Sequence, residues 1–246
     1  MSLFYHIGRY FSLMVRVFTK PEKQKIYLRN IITEIWSLGV GSIGIVIVIS
    51  VFMGAVITLQ AVYNIENPLI PLYIVGLGTR DSMILEFSST MVALILAGKV
   101  GSSIAGQIGT MRATEQIDAL EIMGINSAAF LIMPKIVALV LFFPFLYIIS
   151  VFLGILGGYL AVVIADVMTT GAFLQGVKFM FIPYYIVYSL IKCEIFAFII
   201  TSVASYEGYY VNGGSLEIGK AGTKAVVRST ILILIFNLIL TQLLLT

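Results

Sequence analysis

The chain has 246 residues, of which 60% are hydrophobic and only 11% charged. A soluble domain has about half apolar and about a quarter charged residues, so this composition excludes an ordinary soluble fold. The net charge is only +3, which does not favour a nucleic-acid-binding protein. The charges cluster between long apolar runs, which is typical of a polytopic membrane protein.

The N-terminal segment, residues 3–18, has apolar side chains at helical spacing, with His6, Arg9 and Arg16 on the other face. This pattern predicts a basic amphipathic helix that lies flat at the membrane surface and ends before Pro21. The alternative is an ordinary surface helix. The N-terminal segment lacks an apolar core followed by a cleavage site, so we do not interpret it as a cleaved signal peptide. We therefore predict an interfacial region over residues 1–38 and a five-helix membrane domain over 39–246.

Five longer apolar segments follow, and each can cross a bilayer core, which needs roughly 20 helical residues. They cover about 39–62, 83–106, 134–165, 183–204 and 225–245. The third contains Pro144, Gly154, Gly157 and Gly158, and we interpret it as one kinked or tilted helix. Two shorter pieces, 69–78 and 172–182, cannot span and are interpreted as re-entrant or interfacial.

The distribution of Lys and Arg predicts the orientation, because cytoplasmic loops carry the excess. Only Arg80 and Lys178 lie in the loops that this rule assigns to the outside. We predict a cytoplasmic N-terminus and a periplasmic C-terminus in a bacterial inner membrane. The basic residues assigned to the inside are Arg9, Arg16, Lys20, Lys23, Lys25, Arg29, Lys99, Arg112, Lys135, Lys220, Lys224 and Arg228.

Small residues recur every four positions at the end of the second span. Such rows let helix backbones approach closely in lipid, either within the chain or between two copies. The same helix carries Lys99, whose side chain is predicted to extend to the headgroups. The small residues are Gly98, Ser102 and Gly106 in one row and Gly101, Ala105 and Gly109 in the other.

Residues 114–124 predict a short amphipathic helix that begins at a Thr114 cap and stops at Gly124. Glu115 and Asp118 lie in its first turn, where the helix dipole favours acids. Ile117, Leu120 and Met123 recur every three residues on one rough face. A short apolar ridge with an acidic flank suits a groove of another protein. Packing on the same chain is equally compatible with this pattern.

Ionisable residues inside the spans are functional candidates, because a charge there costs several kcal/mol unless it is paired or solvated. Lys192 and Glu194 lie midway along the fourth span and, being two apart, point to opposite sides of a helix. Glu86, at the start of the second span, can pair with Lys192. A purely structural ion pair is the alternative interpretation.

The chain offers no sign of an enzyme active site or a metal site. GSLEIGKA, residues 214–221, follows a phosphate-binding loop until Ala221, where a magnesium-ligating Ser or Thr is required. His6 is the single histidine and Cys193 the single cysteine, so neither an internal disulfide nor a His/Cys metal cluster is expected. We therefore predict a protein that is not an enzyme and binds no cofactor directly.

Two long motifs, in this order, carry a family resemblance. LAGKVGSSIAGQIGTMRATEQIDALEIMGI at 96–125 and GYYVNGGSLEIGKAGTKAVVRS at 208–229 resemble the signature of the MlaE/YrbE family. Members of that family are permease subunits of ABC transporters that work with MCE-domain proteins. The resemblance runs from about residue 30 to the C-terminus. Around Glu86 the chain reads Leu-Glu-Phe-Ser-Ser, where the family often has Arg-Glu-Leu-Gly-Pro.

The resemblance implies a homodimer with five transmembrane helices and an N-terminal interfacial helix in each copy. Residues 114–124 would be the coupling helix in a cleft of a cytoplasmic ATPase, which would bind the ATP and magnesium. Further partners would be an MCE-domain protein on the outer side and a STAS-domain protein on the ATPase. Phospholipid would be the substrate, contacted by Glu86 and Lys192. The residues assigned to coupling are Arg112, Glu115, Ile117, Asp118, Leu120, Glu121 and Met123.

Two other functions are compatible with the residues alone. An ion-driven secondary transporter would use Lys192, Glu194 and Glu86 as a proton relay, and usually shows an internal repeat. A non-transporting membrane scaffold would tolerate removal of the charge at Lys192.

Overall fold

The computed structural model describes residues 3–19, 24–65 and 71–245. Within these ranges there is no strand, and five helices are long and apolar enough to cross a membrane. The predicted all-α membrane fold is therefore confirmed. Pro21 and the basic residues Lys20 and Lys23 lie outside the described residues. The five long helices are Tyr27–Asn64, Tyr73–Ala113, Ser127–Ala165, Tyr184–Tyr209 and Ser215–Leu245.

Two of these long helices contain segments that depart from α-helical geometry without ending the helix. The π-helical turns are Ile35–Gly39, Met83–Met91 and Ala97–Gly101, and a 3-10 turn covers Val40–Ser42. The α-helical elements are α1 (Leu3–Val17), α2 (Gln24–Glu34), α3 (Ile43–Asn64), α4 (Tyr73–Ser82), α5 (Val92–Leu96), α6 (Ser102–Ala113), α7 (Gln116–Ile122), α8 (Ser127–Ala165), α9 (Thr170–Lys178), α10 (Tyr184–Tyr209) and α11 (Ser215–Leu245).

The second span begins earlier than predicted. Residues 73–78 belong to α4, which continues into the second long helix, so their interpretation as a separate re-entrant or interfacial piece is wrong. The polar run that starts at Thr79 made the apolar segment look interrupted. Arg80 is only 2% exposed, because its guanidinium donates to the carbonyl oxygens of Val177 (3.0 Å) and Phe179 (2.7 Å) at the end of α9. Satisfied in this way, an arginine continues the helix at low cost.

Contacts divide the chain into two units. Unit 1 contains Met1–Gly41, Ala93–Phe143 and Glu194–Thr246, and unit 2 contains Ser42–Val92 and Pro144–Cys193. Four of the five long helices contribute residues to both units, whereas α11 belongs to unit 1 alone.

In unit 2 the helices touch at glycines. A Cβ atom at Gly54 of α3 would lie 1.8 Å from the carbonyl oxygen of Gly154 in α8, and one at Gly176 of α9 would lie 1.8 Å from that of Tyr73 in α4. Only glycine permits such close backbone approach. The glycines of α8 therefore bring helices together, and α8 is one helix of 39 residues, as expected.

In unit 1 the N-terminal helix α1 rests on the end of α10. The hydroxyl of Tyr10 donates to Ser202 Oγ (2.8 Å), and the guanidinium of Arg9 lies 3.6 Å from the ring centre of Tyr210. The exposed face of α1 is an apolar stripe at helical spacing, available to lipid. The stripe consists of Phe4, Ile7, Phe11, Val15 and Phe18.

Candidate functional site

Unit 2 contains an ion pair inside the predicted membrane spans. The ammonium of Lys192 in α10 lies 2.9 Å from Glu86 Oε2. The Lys192 side chain has no exposed surface, whereas that of Glu86 is 42% exposed. The two residues singled out from the sequence are therefore brought together. The carboxylate is the accessible member of the pair, and the lysine lies behind it.

The π-helical turn Met83–Met91 provides the backbone around this pair. Its wider helix is a geometry frequent at functional sites. The carbonyl oxygen of Leu85 accepts a second bond from the Lys192 ammonium (3.1 Å), and that of Ile84 accepts one from Ser189 Oγ (2.7 Å). The hydroxyl of Tyr147 in α8 also donates to the Ile84 carbonyl (3.3 Å). Side chains from two other helices thus hold the turn that carries Glu86.

Tyr188 also lies close to the lysine, with its ring centre 5.0 Å from the Lys192 ammonium. Tyr188 and Lys192 are four residues apart on α10, so helical spacing alone could have indicated this contact. The backbone carbonyls of Ile84 and Leu85 give no such signal in the sequence. Because Glu86 neutralises Lys192, an anionic ligand group would compete with the Glu86 carboxylate for the lysine.

The third ionisable residue of the spans, Glu194, belongs to unit 1, whereas Lys192 belongs to unit 2. One carboxylate oxygen of Glu194 is buried and has no hydrogen-bond partner among the described residues. Nothing in the structure assigns a role to this group.

The short helix predicted over 114–124 is α7, Gln116–Ile122, in unit 1. Thr114 does not cap it, because its hydroxyl donates to the Thr110 carbonyl and completes the preceding helix. The cap position is Glu115, which has a left-handed backbone (φ 60°) and makes no capping bond with its side chain. Gly124 ends α7 as predicted, with φ 78°. The amide of Ile125 donates to the carbonyl of Leu120, the glycine-dependent stop of many helices.

The apolar residues predicted to form a ridge on α7 differ in how far they are buried. Ile117 is fully buried against its own chain, Leu120 is half-buried and Met123 is 65% exposed. The most exposed apolar side chain is Ile122 at 88%, which the sequence analysis did not select. The accessible tip therefore consists of Ile122 and Met123. The three residues predicted to form one row therefore differ in exposure, because Ile117 is held inward by packing.

Two charged residues of this region are bound within the chain. Arg112 forms an ion pair with Asp118, and the Glu121 carboxylate accepts hydrogen bonds from Ser127 and Tyr209 (both 2.9 Å). The Ser127 bond, assisted by Tyr209 and by the positive charge of nearby arginines, lowers the pKa of Glu121 below its ordinary value. Through these two hydrogen bonds, Glu121 connects the end of α7 to α8 and α10. Glu115 remains exposed.

The small residues of the two predicted rows differ in what they pack against. A Cβ atom on Gly101 would touch Ile200 and Ala204 of α10, while the Ala105 backbone lies against Gly208. Ser102 faces Gly222 of α11. By contrast, nothing lies within 4 Å of a Cβ atom placed on Gly98 or Gly106. These two glycines are therefore open on the described part of the chain.

Lys99 is bound to the protein backbone. Its ammonium donates to the carbonyl of Gly41 in the 3-10 turn of the first long helix, whereas the sequence predicted that it extends to the headgroups. The segment GSLEIGKA is also unlike a phosphate-binding loop, since α11 begins at Ser215 and Glu217 pairs with Lys220 in its first turns. In the part of the chain that the structure describes, no cluster of three or more His, Cys, Asp or Glu could hold a metal ion.

Sequence comparison decides the family. The family model described as Permease MlaE matches residues 31–243. The chain belongs to the MlaE permease family. It is 34% identical to a probable ABC transporter permease protein of Rickettsia bellii over 96% of the chain and 91% of that protein. It is 35% identical to a probable ABC transporter permease protein of Rickettsia prowazekii over 90% of the chain and 85% of that protein.

A third relative is the chloroplastic protein TRIGALACTOSYLDIACYLGLYCEROL 1 of Arabidopsis thaliana, 28% identical over 89% of the chain and 63% of that protein. As a member of the MlaE permease family, the chain is the membrane-spanning subunit of an ABC transporter, a class whose ATPase is a partner protein. The family resemblance inferred from the two motifs is confirmed.

Proposed function

We propose that this permease moves a phospholipid between the bacterial inner membrane and an MCE-domain protein on the outer side, driven by a cytoplasmic ATPase. The observation that carries the proposal is the Glu86–Lys192 pair, which lies within predicted spans and presents a partly exposed carboxylate. A charge kept inside a membrane span is expensive and is usually retained for function. A phospholipid has a polar headgroup, which the pair could contact, and acyl chains that favour apolar surroundings.

The pair suits a phospholipid headgroup in two ways. Glu86 can accept hydrogen bonds from a headgroup amine or hydroxyl without any rearrangement, because its side chain is 42% exposed. A phosphate, being anionic, would instead displace Glu86 from Lys192 and leave the lysine with a new counter-ion. The name of the Arabidopsis relative includes a glycolipid, trigalactosyldiacylglycerol, which agrees with a lipid substrate.

The ATPase contact that we propose is the C-terminal end of α7, formed by Ile122 and Met123, with Glu115 exposed at the other end of the same helix. An exposed isoleucine on a seven-residue helix is unfavourable in water and gains free energy when a partner covers it. Arg112, Asp118, Glu121 and Ile117 would hold α7 in place, and Leu120 would border the contact. ATP and magnesium would bind to the partner.

Assembly follows from the same proposal. Two copies would form a homodimer, for which the open row of Gly98 and Gly106 offers a close helix contact. A STAS-domain protein would sit on the ATPase. The excess of Lys and Arg supports a cytoplasmic position for α7 and the N-terminus and an outside position for the C-terminus. The ABC permease family disfavours the ion-driven and scaffold alternatives, because its members work with ATPases.

Photo-crosslinking from Phe87, the half-buried neighbour of Glu86, tests the lipid. The full transporter is purified with a photoreactive residue at this position, irradiated in native-like bilayers, and its adduct identified by mass spectrometry. A phospholipid adduct whose yield changes when ATP is added supports the proposal. The matched control is the same probe at Ile235, an exposed position of α11, where ATP should not change the yield. An ATP-independent adduct at both positions, or purification without an ATPase, would contradict the proposal.

A further inference from the structure

A pocket that shares no residue with the Glu86–Lys192 pair lies within unit 1. It has a volume of about 830 Å³, within the range of small-molecule and lipid-headgroup sites. The polar wall comes from α2, and the apolar wall comes from α6 and the start of α8. All of its lining residues belong to unit 1.

At its base the pocket holds a buried lysine. The Lys135 side chain is 3% exposed, and its ammonium lies 2.5 Å from Glu34 Oε1 and 2.6 Å from Gln107 Oε1. An ammonium has three N–H donors, and these two acceptors are the partners found for it in the described part of the chain. A buried donor without an acceptor is costly. The third donor is therefore available to an acceptor in the pocket.

At the pocket rim lies a second cation, Arg29. It is five residues before Glu34 on α2, its side chain is exposed, and it has no ion-pair partner among the described residues. Glu34 offsets only one of the two positive charges, Lys135 and Arg29, so the pocket keeps a net positive charge. Arginine and lysine together are the usual recognition set for a phosphate group.

The opposite wall is apolar and is formed by Met111, Phe130 and Leu131. A water-soluble anion would gain nothing from such a wall, whereas an alkyl chain would bury apolar surface against it. The pocket thus matches a molecule with an anionic head and an apolar tail. Basic pockets between membrane helices on the cytoplasmic side are known to suit anionic lipid headgroups.

We propose that this pocket is a binding site for an anionic phospholipid of the inner leaflet. The phosphate accepts hydrogen bonds from Arg29 and from the third donor of Lys135, and one acyl chain lies along Phe130 and Leu131. Glu34 and Gln107 orient the lysine. Since the headgroup charge is satisfied by α2 and α8 together, the bound lipid links the two helices.

Binding is measured with the full-length chain in nanodiscs of phosphatidylcholine that contain a minor fraction of radiolabelled phosphatidylglycerol. After extraction into detergent, the phosphatidylglycerol retained per chain is counted, and its affinity is obtained by titrating a short-chain phosphatidylglycerol. Two variants test the two walls: Arg29→Gln removes an exposed charge, and Leu131→Trp narrows the apolar wall without changing charge. Lys135 is left intact because its removal would strand Glu34.

Each pocket variant is expected to weaken phosphatidylglycerol binding about tenfold, the effect of one charged hydrogen bond or of a blocked chain. Lys224→Gln is the matched control, since it removes an exposed positive charge outside the pocket, and it should bind as the parent chain does. An equal loss in Lys224→Gln would overturn the proposal in favour of general surface attraction. Saturable binding of inorganic phosphate without retention of the lipid would also overturn it, as would no enrichment of phosphatidylglycerol over phosphatidylcholine.

Discussion

Replacing Glu86 by Gln removes the counter-ion of a lysine that has no exposed surface. At the observed 2.9 Å, and with an effective dielectric constant of about 20, the attraction between the charges is about 6 kcal/mol before desolvation is subtracted. Removing one partner of a buried pair costs about 3–5 kcal/mol, because the other charge stays uncompensated. We therefore expect Glu86→Gln to destabilise the protein by a few kcal/mol.

The reverse substitution has a smaller expected cost. Lys192→Met leaves behind Glu86, whose side chain is 42% exposed and can be solvated, so a loss of about 1 kcal/mol is expected. In the double variant, Glu86→Gln with Lys192→Met, neither charge of the pair remains, and stability should return close to that of the parent chain.

Heat-induced aggregation in detergent ranks the stabilities of the four chains, and ATP-dependent crosslinking of phospholipid measures function. A lipid-binding role requires the double variant to be stable yet unable to bind the headgroup. If the double variant handles lipid as well as the parent chain, the pair is only structural and the proposed substrate contact is refuted. If both single variants lose equally little stability, the pair does not lie in a low-dielectric environment.

Three further outcomes are expected. Ile122→Arg should abolish co-purification of the ATPase while membrane insertion is unchanged, whereas Thr170→Arg, a change at an exposed polar residue of α9, should preserve association. Gly54→Ala should lower the unfolding temperature, because its Cβ atom would meet the Gly154 backbone and overpacking costs about 1–3 kcal/mol, whereas Gly44→Ala on the same helix, with no neighbour within 4 Å, should not. The lowered pKa of Glu121 in the folded state means that its carboxylate stabilises the fold above the unfolded pKa and that this stabilisation is lost as the pH falls through the folded pKa. The thermal unfolding midpoint should consequently fall less on acidification in Glu121→Gln than in the parent chain. An identical fall in both chains would contradict a stabilising role of the Glu121 carboxylate.

Hydropathy along the chain was enough to determine the class of the protein and the approximate position of every long helix. The reason is that roughly 20 consecutive apolar residues have few alternatives to a membrane helix. Gly124 could be predicted as the end of α7 because its role depends on local backbone conformation. The cost of charge in a span similarly identified Glu86 and Lys192 before any contact was known.

The tertiary structure alone decided what these residues touch. Glu86 and Lys192 are 106 positions apart, and no local rule relates their directions. Arg80 appeared to interrupt a span because its partners, the carbonyls at the end of α9, lie on a distant segment. Ile117 and Ile122 are chemically identical, and only the packing of the folded chain buries Ile117 and leaves Ile122 exposed. Periodicity describes one helix at a time, whereas burial and hydrogen bonding depend on the neighbours that folding supplies.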